Sequence, residues 1–287
     1  MHRLGFGAMQ LTGPGVWGEP RDPVTARRVL QRAVELGVNF IDTADSYGPE
    51  VSERLIFEAL HPYPAGLVIA TKAGLTRPGP GEWRPNGRPE HLRAQCDRSL
   101  QLLGLDRIDL FQLHRIDPAV ALDDQIGTLV ELQASGKVHH IGLSEVTVDE
   151  VVAAGRIATI ATVQNHYNLA NRQADDVLAH TEQHGIGFIP WFPLATGRLA
   201  ERGGPLASLS ADRGVAPAQI ALAWLLHRSA VMLPIPGTSS VEHLEQNVGA
   251  AEITLSDAEF ETLQVAADAG PSATQRARSL VRRLRSR

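Results

Sequence analysis

Residues 108–143 read IDLFQLHRIDPAVALDDQIGTLVELQASGKVHHIGL. Two apolar runs, Ile108–Leu113 and Val138–Leu143, have the length and the Leu, Ile, Val and Phe content of buried strands. Between them Leu122, Ile126, Leu129 and Val130 recur at helical spacing, and Ser135-Gly136 closes the stripe. Strand, helix, strand at this spacing is a βαβ unit, which makes its two strands parallel.

The alternation continues in both directions. Further strand candidates are Leu4–Met9, Val38–Ile41, Leu67–Thr71, Thr162–Gln164, Gly187–Trp191 and Val231–Ile235, which brings the total to eight. The helices between them carry their own punctuation. Asp22-Pro23 reads as an N-cap followed by proline at the first helical position, Ala26, Val29, Leu30 and Ala33 form one stripe, and Gly37 ends it. Ile220, Ala221, Trp224 and Leu225 form another stripe behind Pro217. Ser256 and Glu259 form a capping box, with Leu255 and Phe260 placed as a hydrophobic staple. This begins an extra helix after the eighth strand.

Eight βα units leave a closed barrel or a doubly wound open sheet. The open sheet's nucleotide fingerprint is missing, because Gly5-Phe6-Gly7 is followed by Met9 and Gln10 rather than by the remaining glycine spacing. The expected fold is therefore an α/β (β/α)8 TIM barrel. It forms one domain over residues 1–287, in which 270–287 are a basic C-terminal extension.

Composition agrees with a packed enzyme-sized domain. Of 287 residues, 43% are hydrophobic and 21% charged, which excludes a disordered chain. The net charge of −5 argues against a nucleic-acid surface. The single cysteine, Cys96, permits no internal disulfide and sits at helical spacing with Leu92, Leu100 and Leu103, the pattern of a small buried apolar residue. No run has the 18 apolar residues of a membrane span, and the start lacks a secretory pattern. The expectation is a cytoplasmic protein, monomeric, with no membrane or nucleic-acid partner.

In a (β/α)8 barrel the site lies at the carboxyl ends of the strands. Asp42 ends the second run, with Tyr47 five residues later. Lys72 ends the third, His114 the fourth, Ser144 the fifth, Gln164 the sixth and Trp191 the seventh. Gly237-Thr238-Ser239-Ser240 follows the eighth. Any one of these is ordinarily a solvated or packing residue. Their joint placement at one mouth carries the reading. A carbonyl being reduced needs a proton donor for its oxygen. A tyrosine with a pKa of about 10 keeps its proton at neutral pH and releases it reluctantly. The ammonium of Lys72 would lower that pKa, Asp42 would hold Lys72 charged, and His114 would orient the substrate oxygen. The Gly- and Pro-rich loop from Ala73 to Arg88 is long enough to border the site.

These residues resemble the aldo-keto reductase superfamily. Phe40-Ile41-Asp42-Thr43-Ala44-Asp45-Ser46-Tyr47-Gly48 is similar to its Asp–Tyr signature, Ala70-Thr71-Lys72 to its lysine strand, and Gln112-Leu113-His114-Arg115 to its histidine strand. Gly142-Leu143-Ser144, Val163-Gln164-Asn165 and Pro234-Ile235-Pro236-Gly237-Thr238 resemble its cofactor segments, and the likeness runs in order from Leu4 to about Leu263. The resemblance implies a barrel that binds NADPH, less often NADH, and reduces a small-molecule carbonyl substrate. It implies Asp42, Tyr47, Lys72 and His114 as the catalytic tetrad, with Tyr47 as general acid. Ser144 and Gln164 would hold the nicotinamide carboxamide, Trp191 would stack on the ring, and Pro193 and Leu194 would follow the pyrophosphate. Gly237, Thr238, Ser239 and Ser240 would bind the adenosine phosphate at a capped helix start, with His243, Gln246 and Asn247 nearby.

The chain departs from the family pattern in places. Glu145 stands where asparagine is common, His243 where many members have arginine, and Gly237 where a lysine is usual. The family's N-terminal hairpin has no counterpart before the first strand. The segment Leu11–Gly18 and the run Gly237–Leu244 look closest to a bacterial branch that includes pyridoxal reductases, which makes pyridoxal a candidate substrate. Trp17 and Trp83 would line the substrate pocket.

Two other readings compete. A metal-dependent barrel hydrolase or isomerase would need paired ligands, and among 11 histidines the adjacent His139 and His140 should point to opposite faces of a strand. Sensitivity to a chelator would favour it, but no metal site is expected. A regulatory subunit that binds a nicotinamide cofactor without turnover is the other reading, and the intact tetrad argues against it. The tail after Gly270 holds six arginines and no acid. It reads as a solvated extension.

Overall fold

The computed structural model describes residues 2–194 and 204–268. Its strands and helices alternate as the periodicity predicts. In chain order they are β1 (Phe6–Gly7), α1 (Pro23–Glu35), β2 (Phe40–Asp42), α2 (Val51–Leu60), β3 (Val68–Ala73), β4 (Leu75–Thr76), β5 (Arg84–Pro85), α3 (Pro89–Leu103), β6 (Ile108–Leu113) and α4 (Leu122–Ala134). There follow β7 (Val138–Ser144), α5 (Val148–Gly155), β8 (Ile160–His166), α6 (Asp175–His184), β9 (Gly187–Trp191), α7 (Pro205–Arg213), α8 (Pro217–Arg228), α9 (Val241–Gly249) and α10 (Asp257–Asp268). The caps work as the sequence indicates. Asp22 accepts from the amides of Val24 and Thr25 at the head of α1, and Ser256 and Glu259 satisfy each other's amides at the head of α10.

Seven strands pair in parallel, in the order β1-β2-β3-β6-β7-β8-β9. The predicted eighth strand, Val231–Ile235, is not a regular strand. Pro234 and Pro236 lack amide hydrogens, so two of the segment's ladder donors are missing. It closes the ring largely as an acceptor. Gly5 N donates to Pro234 O at 2.9 Å and Gly7 N to Pro236 O at 3.4 Å, while Phe188 N reaches Val231 O and Leu233 N reaches Phe188 O. The curled sheet is thus closed as a (β/α)8 barrel. β1 is also shorter than predicted, because a 3-10 turn, Ala8–Leu11, takes over after Gly7.

Strand period decides what lies inside. Phe40, Ala70, Leu110, Ile189, Leu233 and Ile235 form a buried cluster within the ring. Their neighbours in sequence, such as Ile41, Ile69 and Phe111, pack outward against the helices. Two residues beyond the inner cluster, on the same face, stand Asp42, Lys72 and Gln112. An apolar floor therefore carries a polar layer directly above it. Gly142 leaves room for that layer, since a Cβ there would lie 2.4 Å from Thr162 Oγ1 and 2.9 Å from Gln112 Cγ.

The loop from Ala73 to Arg88 holds a short antiparallel hairpin, β4 with β5, which the sequence reading did not foresee. Cys96 is buried in the outer core, and burial pushes its thiol up to about 12. His139 and His140 do not separate onto opposite faces: both are exposed, with ring centroids 4.1 Å apart. They sit just before the point in β7 where pairing with β8 shifts register. Among the described residues, no group of three or more His, Cys, Asp or Glu side chains gathers in metal-holding geometry. No described helix is long and apolar enough to cross a membrane. The Arg-rich extension, 270–287, lies outside the described residues.

Closure by a proline-bearing segment makes Gly7 critical. A Cβ at Gly7 would lie 2.6 Å from Ile235 O, so Gly7→Ala should cost about 2 kcal/mol in urea unfolding. Gly127→Ala, in α4 with nothing within 4 Å of its Cβ, should instead gain about 0.5–1 kcal/mol.

Candidate active site

Asp42 ends β2, and its carboxylate is fixed by three donors. Lys72 Nζ reaches Oδ1 at 2.6 Å, while Gln112 Nε2 and Gln164 Nε2 reach Oδ2 at 3.0 and 2.9 Å. Lys72, on β3, is fully buried. Its ammonium also donates to Thr43 O at 2.8 Å and to the Tyr47 hydroxyl at 3.4 Å. Burial works against that charge, but Asp42 and Tyr47 outweigh it and hold the Lys72 pKa above its ordinary value.

Tyr47 differs in one respect from the sequence expectation. Lys72 does pull its pKa down, but burial pulls harder the other way and the net shift is upward. The phenol therefore keeps its proton at neutral pH. His114, directly after β6, is buried, and its pKa is driven well below the ordinary histidine value by burial first and then by Lys72, Arg115 and Arg77. It is a neutral imidazole. Its Nδ1 lies 3.3 Å from the Ser46 hydroxyl, which leaves Nε2 for the cavity. A protonated phenol, a fixed ammonium behind it and a neutral imidazole beside it can together protonate and orient a ligand oxygen.

These groups open into a cavity of about 630 Å³. Asp42, Tyr47, His114, Ser144, Gln164, Trp191, Pro193, Leu194, Gly237 and Trp83 all line it, so most of the sequence candidates converge on one space. Trp83 and Tyr47 meet edge to face at 6.4 Å. Trp17 is set one layer back. Its ring lies 5.5 Å from the Arg77 guanidinium, which stacks on Trp83 at 3.5 Å. Arg77 also donates to the carbonyls of Gly15, Val16, Ser46 and Glu82, tying three loops together over the mouth. The sequence pointed to its loop but not to this residue.

Glu145 adopts a left-handed backbone, φ 56°. That turns its carboxylate toward Trp191, whose indole nitrogen donates to it at 2.5 Å, while the His166 amide donates at 2.6 Å. His166 stacks on the Trp191 ring, centroids 4.4 Å apart. Glu145 and His166 together thus hold the Trp191 ring in place. Arg115, also missed, donates to His114 O at 2.6 Å and to Ser144 Oγ at 3.1 Å.

The segment after the closing strand leads into α9. Thr238 Oγ1 accepts from the Ser240 amide at 3.0 Å, and the Ser240 hydroxyl caps the helix by accepting from the His243 amide. Ser239 lines a second cavity of about 450 Å³, shared with Met9, Gln10 and the loop from Thr12 to Val16. His243 is exposed, Gln246 is half-buried, and Asn247 is buried with its amide nitrogen unpartnered. None of these three lines either cavity.

Two further carboxyl groups, Asp45 and Glu53, are buried and close enough to interact, a pairing that no sequence signal indicated. Glu53 Oε1 accepts from Thr71 Oγ1 at 2.6 Å. Burial pushes Glu53 up to about 7, and burial together with Glu53 raises Asp45 well above its ordinary value.

Comparison with known proteins places this geometry among relatives. Residues 3–268 match the family model described as Aldo/keto reductase family. An uncharacterized oxidoreductase of Schizosaccharomyces pombe is 53% identical over 263 residues, 92% of this chain and 86% of that protein. The pyridoxine 4-dehydrogenase of Escherichia coli is 44% identical over 269 residues, 92% of this chain and 94% of that protein. Among solved structures, an aldo-keto reductase from Klebsiella pneumoniae in complex with NADPH superposes with a TM-score of 0.78 at 26% identity. That match covers 92% of this chain and 90% of the other.

Folded Glu53 holds its proton to about pH 7, whereas the unfolded side chain releases it near 4.5. Between those values the folded chain binds the extra proton, so stability falls as pH rises through the window and levels off above it. The loss should be about 3 kcal/mol, and urea unfolding of Glu53→Gln across the same pH range should show a loss smaller by that amount.

Proposed function

The chain belongs to the aldo/keto reductase family, and on that premise we propose that it reduces an aldehyde or ketone to an alcohol with a reduced nicotinamide cofactor, NADPH in preference to NADH. Tyr47 is the general acid, Lys72 and Asp42 set its charge environment, and His114 orients the carbonyl oxygen. The observation that carries this reading is the Tyr47 hydroxyl, 3.4 Å from a fully buried ammonium and on the wall of the main cavity. Pyridoxal is the proposed substrate, supported by the 44% identity to the enzyme named pyridoxine 4-dehydrogenase.

The residues present fit the cofactor. Ser144 and Gln164 supply polar groups for the carboxamide beside Trp191, whose ring is held by Glu145 and His166. Pro193 and Leu194 continue the wall toward Gly237. The capped start of α9 at Ser240 offers amides and a helix dipole to the adenosine phosphate, with Gly237, Thr238 and Ser239 leading into it and His243, Gln246 and Asn247 on the helix itself. When bound, the reduced nicotinamide supplies the hydride that the carbonyl carbon accepts. Tyr47 gives its proton to the oxygen that takes the carbonyl π pair, completing the alcohol. Lys72 stabilises the tyrosinate left behind, and Asp42 keeps Lys72 in place. His114, being neutral, donates a hydrogen bond to the oxygen without competing as the acid.

Tyr47→Phe should lower kcat about 10²–10⁴-fold, with NADPH affinity, read from tryptophan fluorescence, nearly unchanged. Near wild-type kcat would remove Tyr47 from the role. Lys72→Met should be as severe, and a mild phenotype would remove the support given to the tyrosinate. NADPH and NADH oxidation against pyridoxal, a nitrobenzaldehyde, methylglyoxal, a ketosteroid and an aldose tests the reading as a whole. Turnover with any of them supports a reductase, whereas tight cofactor binding without turnover would indicate a regulatory protein.

A further inference from the structure

Three cationic side chains surround the reacting end of the cavity, and two are fully engaged. Lys72 is neutralised by Asp42. Arg77 spends its guanidinium on four loop carbonyls and the face of Trp83. Arg115 is different. Its Nη1 donates to His114 O and Ser144 Oγ, but among the described residues its Nε and Nη2 have no hydrogen-bond partner and no carboxylate is within ion-pair distance. Glu145 acts on it only at longer range and is occupied by the Trp191 indole and the His166 amide. Arg115 is half-buried, so its charge has lost much of its water without gaining a counter-ion. Such a cation favours an anionic partner, and a planar guanidinium favours an oxygen anion in its own plane.

Position says which part of a ligand Arg115 would meet. It is the residue after His114, its fork is tied to Ser144, and it lines the same cavity as Tyr47. The surrounding walls are flat: Trp83, Tyr47 and His114 form mutual edge-to-face contacts, and Trp191 and Phe192 line the space with them. Flat walls accept a flat ring, and a cation beside the carbonyl-orienting groups lies next to whatever substituent adjoins the carbonyl.

We propose that Arg115 is a recognition site for an anionic oxygen on the substrate ring beside the reacting carbonyl, so that the preferred substrates are aromatic aldehydes with an ionised ortho-hydroxyl group. This rests on the reductase reading above and narrows its substrate class. Arg115 touches the substituent and not the reacting atoms, so it governs specificity and leaves proton transfer to Tyr47.

The test compares 3-hydroxypyridine-4-carbaldehyde, its 3-methoxy ether and unsubstituted pyridine-4-carbaldehyde, with the wild type, Arg115→Gln and Arg115→Lys. A charge-assisted hydrogen bond of ordinary strength predicts that the wild type prefers the hydroxy aldehyde over the other two by about 10–100-fold in kcat/KM, mainly through KM. Arg115→Gln should erase most of that ratio, and Arg115→Lys should keep part of it, because the charge remains and the fork does not. NADPH affinity, read from tryptophan fluorescence, separates the two ligands. Equal losses on all three aldehydes together with weakened NADPH binding would assign Arg115 to the cofactor and overturn the proposal. The wild-type comparison stands even if a variant fails to fold: equal turnover of the three aldehydes overturns the subsite alone. No turnover of the three, with turnover of another carbonyl such as methylglyoxal, overturns the subsite alone, whereas no turnover of any carbonyl overturns the reductase reading and the subsite together.

Discussion

A buried ion pair is the constraint around which the site is built. Removing the charges of Lys72 and Asp42 from water costs several kcal/mol each unless their remaining valences are filled. They are filled by Thr43 O, Gln112 and Gln164. Those partners come from the end of β2 and from β6 and β8, so the pair is satisfied only when the strands hold their registers. The same charge shapes its neighbours. It tempers the upward shift of the Tyr47 phenol and helps keep His114 neutral. Burial sets the protonation states of both groups, and the Lys72 charge opposes it at Tyr47 and reinforces it at His114.

The stacked inner layers give the pair its foundation. Alternate residues on a strand face the same way, so the floor residues Phe40, Ala70 and Leu110 automatically aim Asp42, Lys72 and Gln112 inward one step higher. The outer faces pack against the helices and hold the ring rigid. At the other boundary of the layer the backbone is strained. Val16, Glu50, Glu145 and Phe192 all adopt positive φ without being glycine, and each lies in a loop leaving the carboxyl end of a strand. Such conformations persist where surrounding contacts over-determine them, as the Trp191 and His166 contacts do for Glu145.

The mouth is assembled from loops rather than strands, and cations organise it. Arg77 joins the loops after β1 and β2 to the β4–β5 hairpin and presents Trp83 to the cavity. Arg115 bridges the ends of β6 and β7. Neither lies in a regular strand, yet each fixes the relation between segments distant in the chain. Loop composition can therefore vary without disturbing the buried pair below, which is how one barrel can accept different substrates.

The sequence by itself determined the barrel class, the order of its units and most of the residues that converge on the main cavity, because these depend on local signals: apolar period, caps and the residue at each strand end. It also marked the loop from Ala73 to Arg88 as a site border. It took the segment Val231–Ile235 as a regular strand, whereas Pro234, with Pro236 just beyond it, removes ladder donors and leaves the segment to close the ring mainly through its carbonyls. Only the tertiary structure decided that Glu145 turns to Trp191, that Arg77 and Arg115 reach the mouth, that burial outweighs Lys72 at Tyr47, and that Asp45 and Glu53 are buried together. Each of these depends on which groups the folded backbone brings within a few ångströms of one another at low dielectric. A one-dimensional pattern records which residues alternate, but not which ones the closed ring brings into contact.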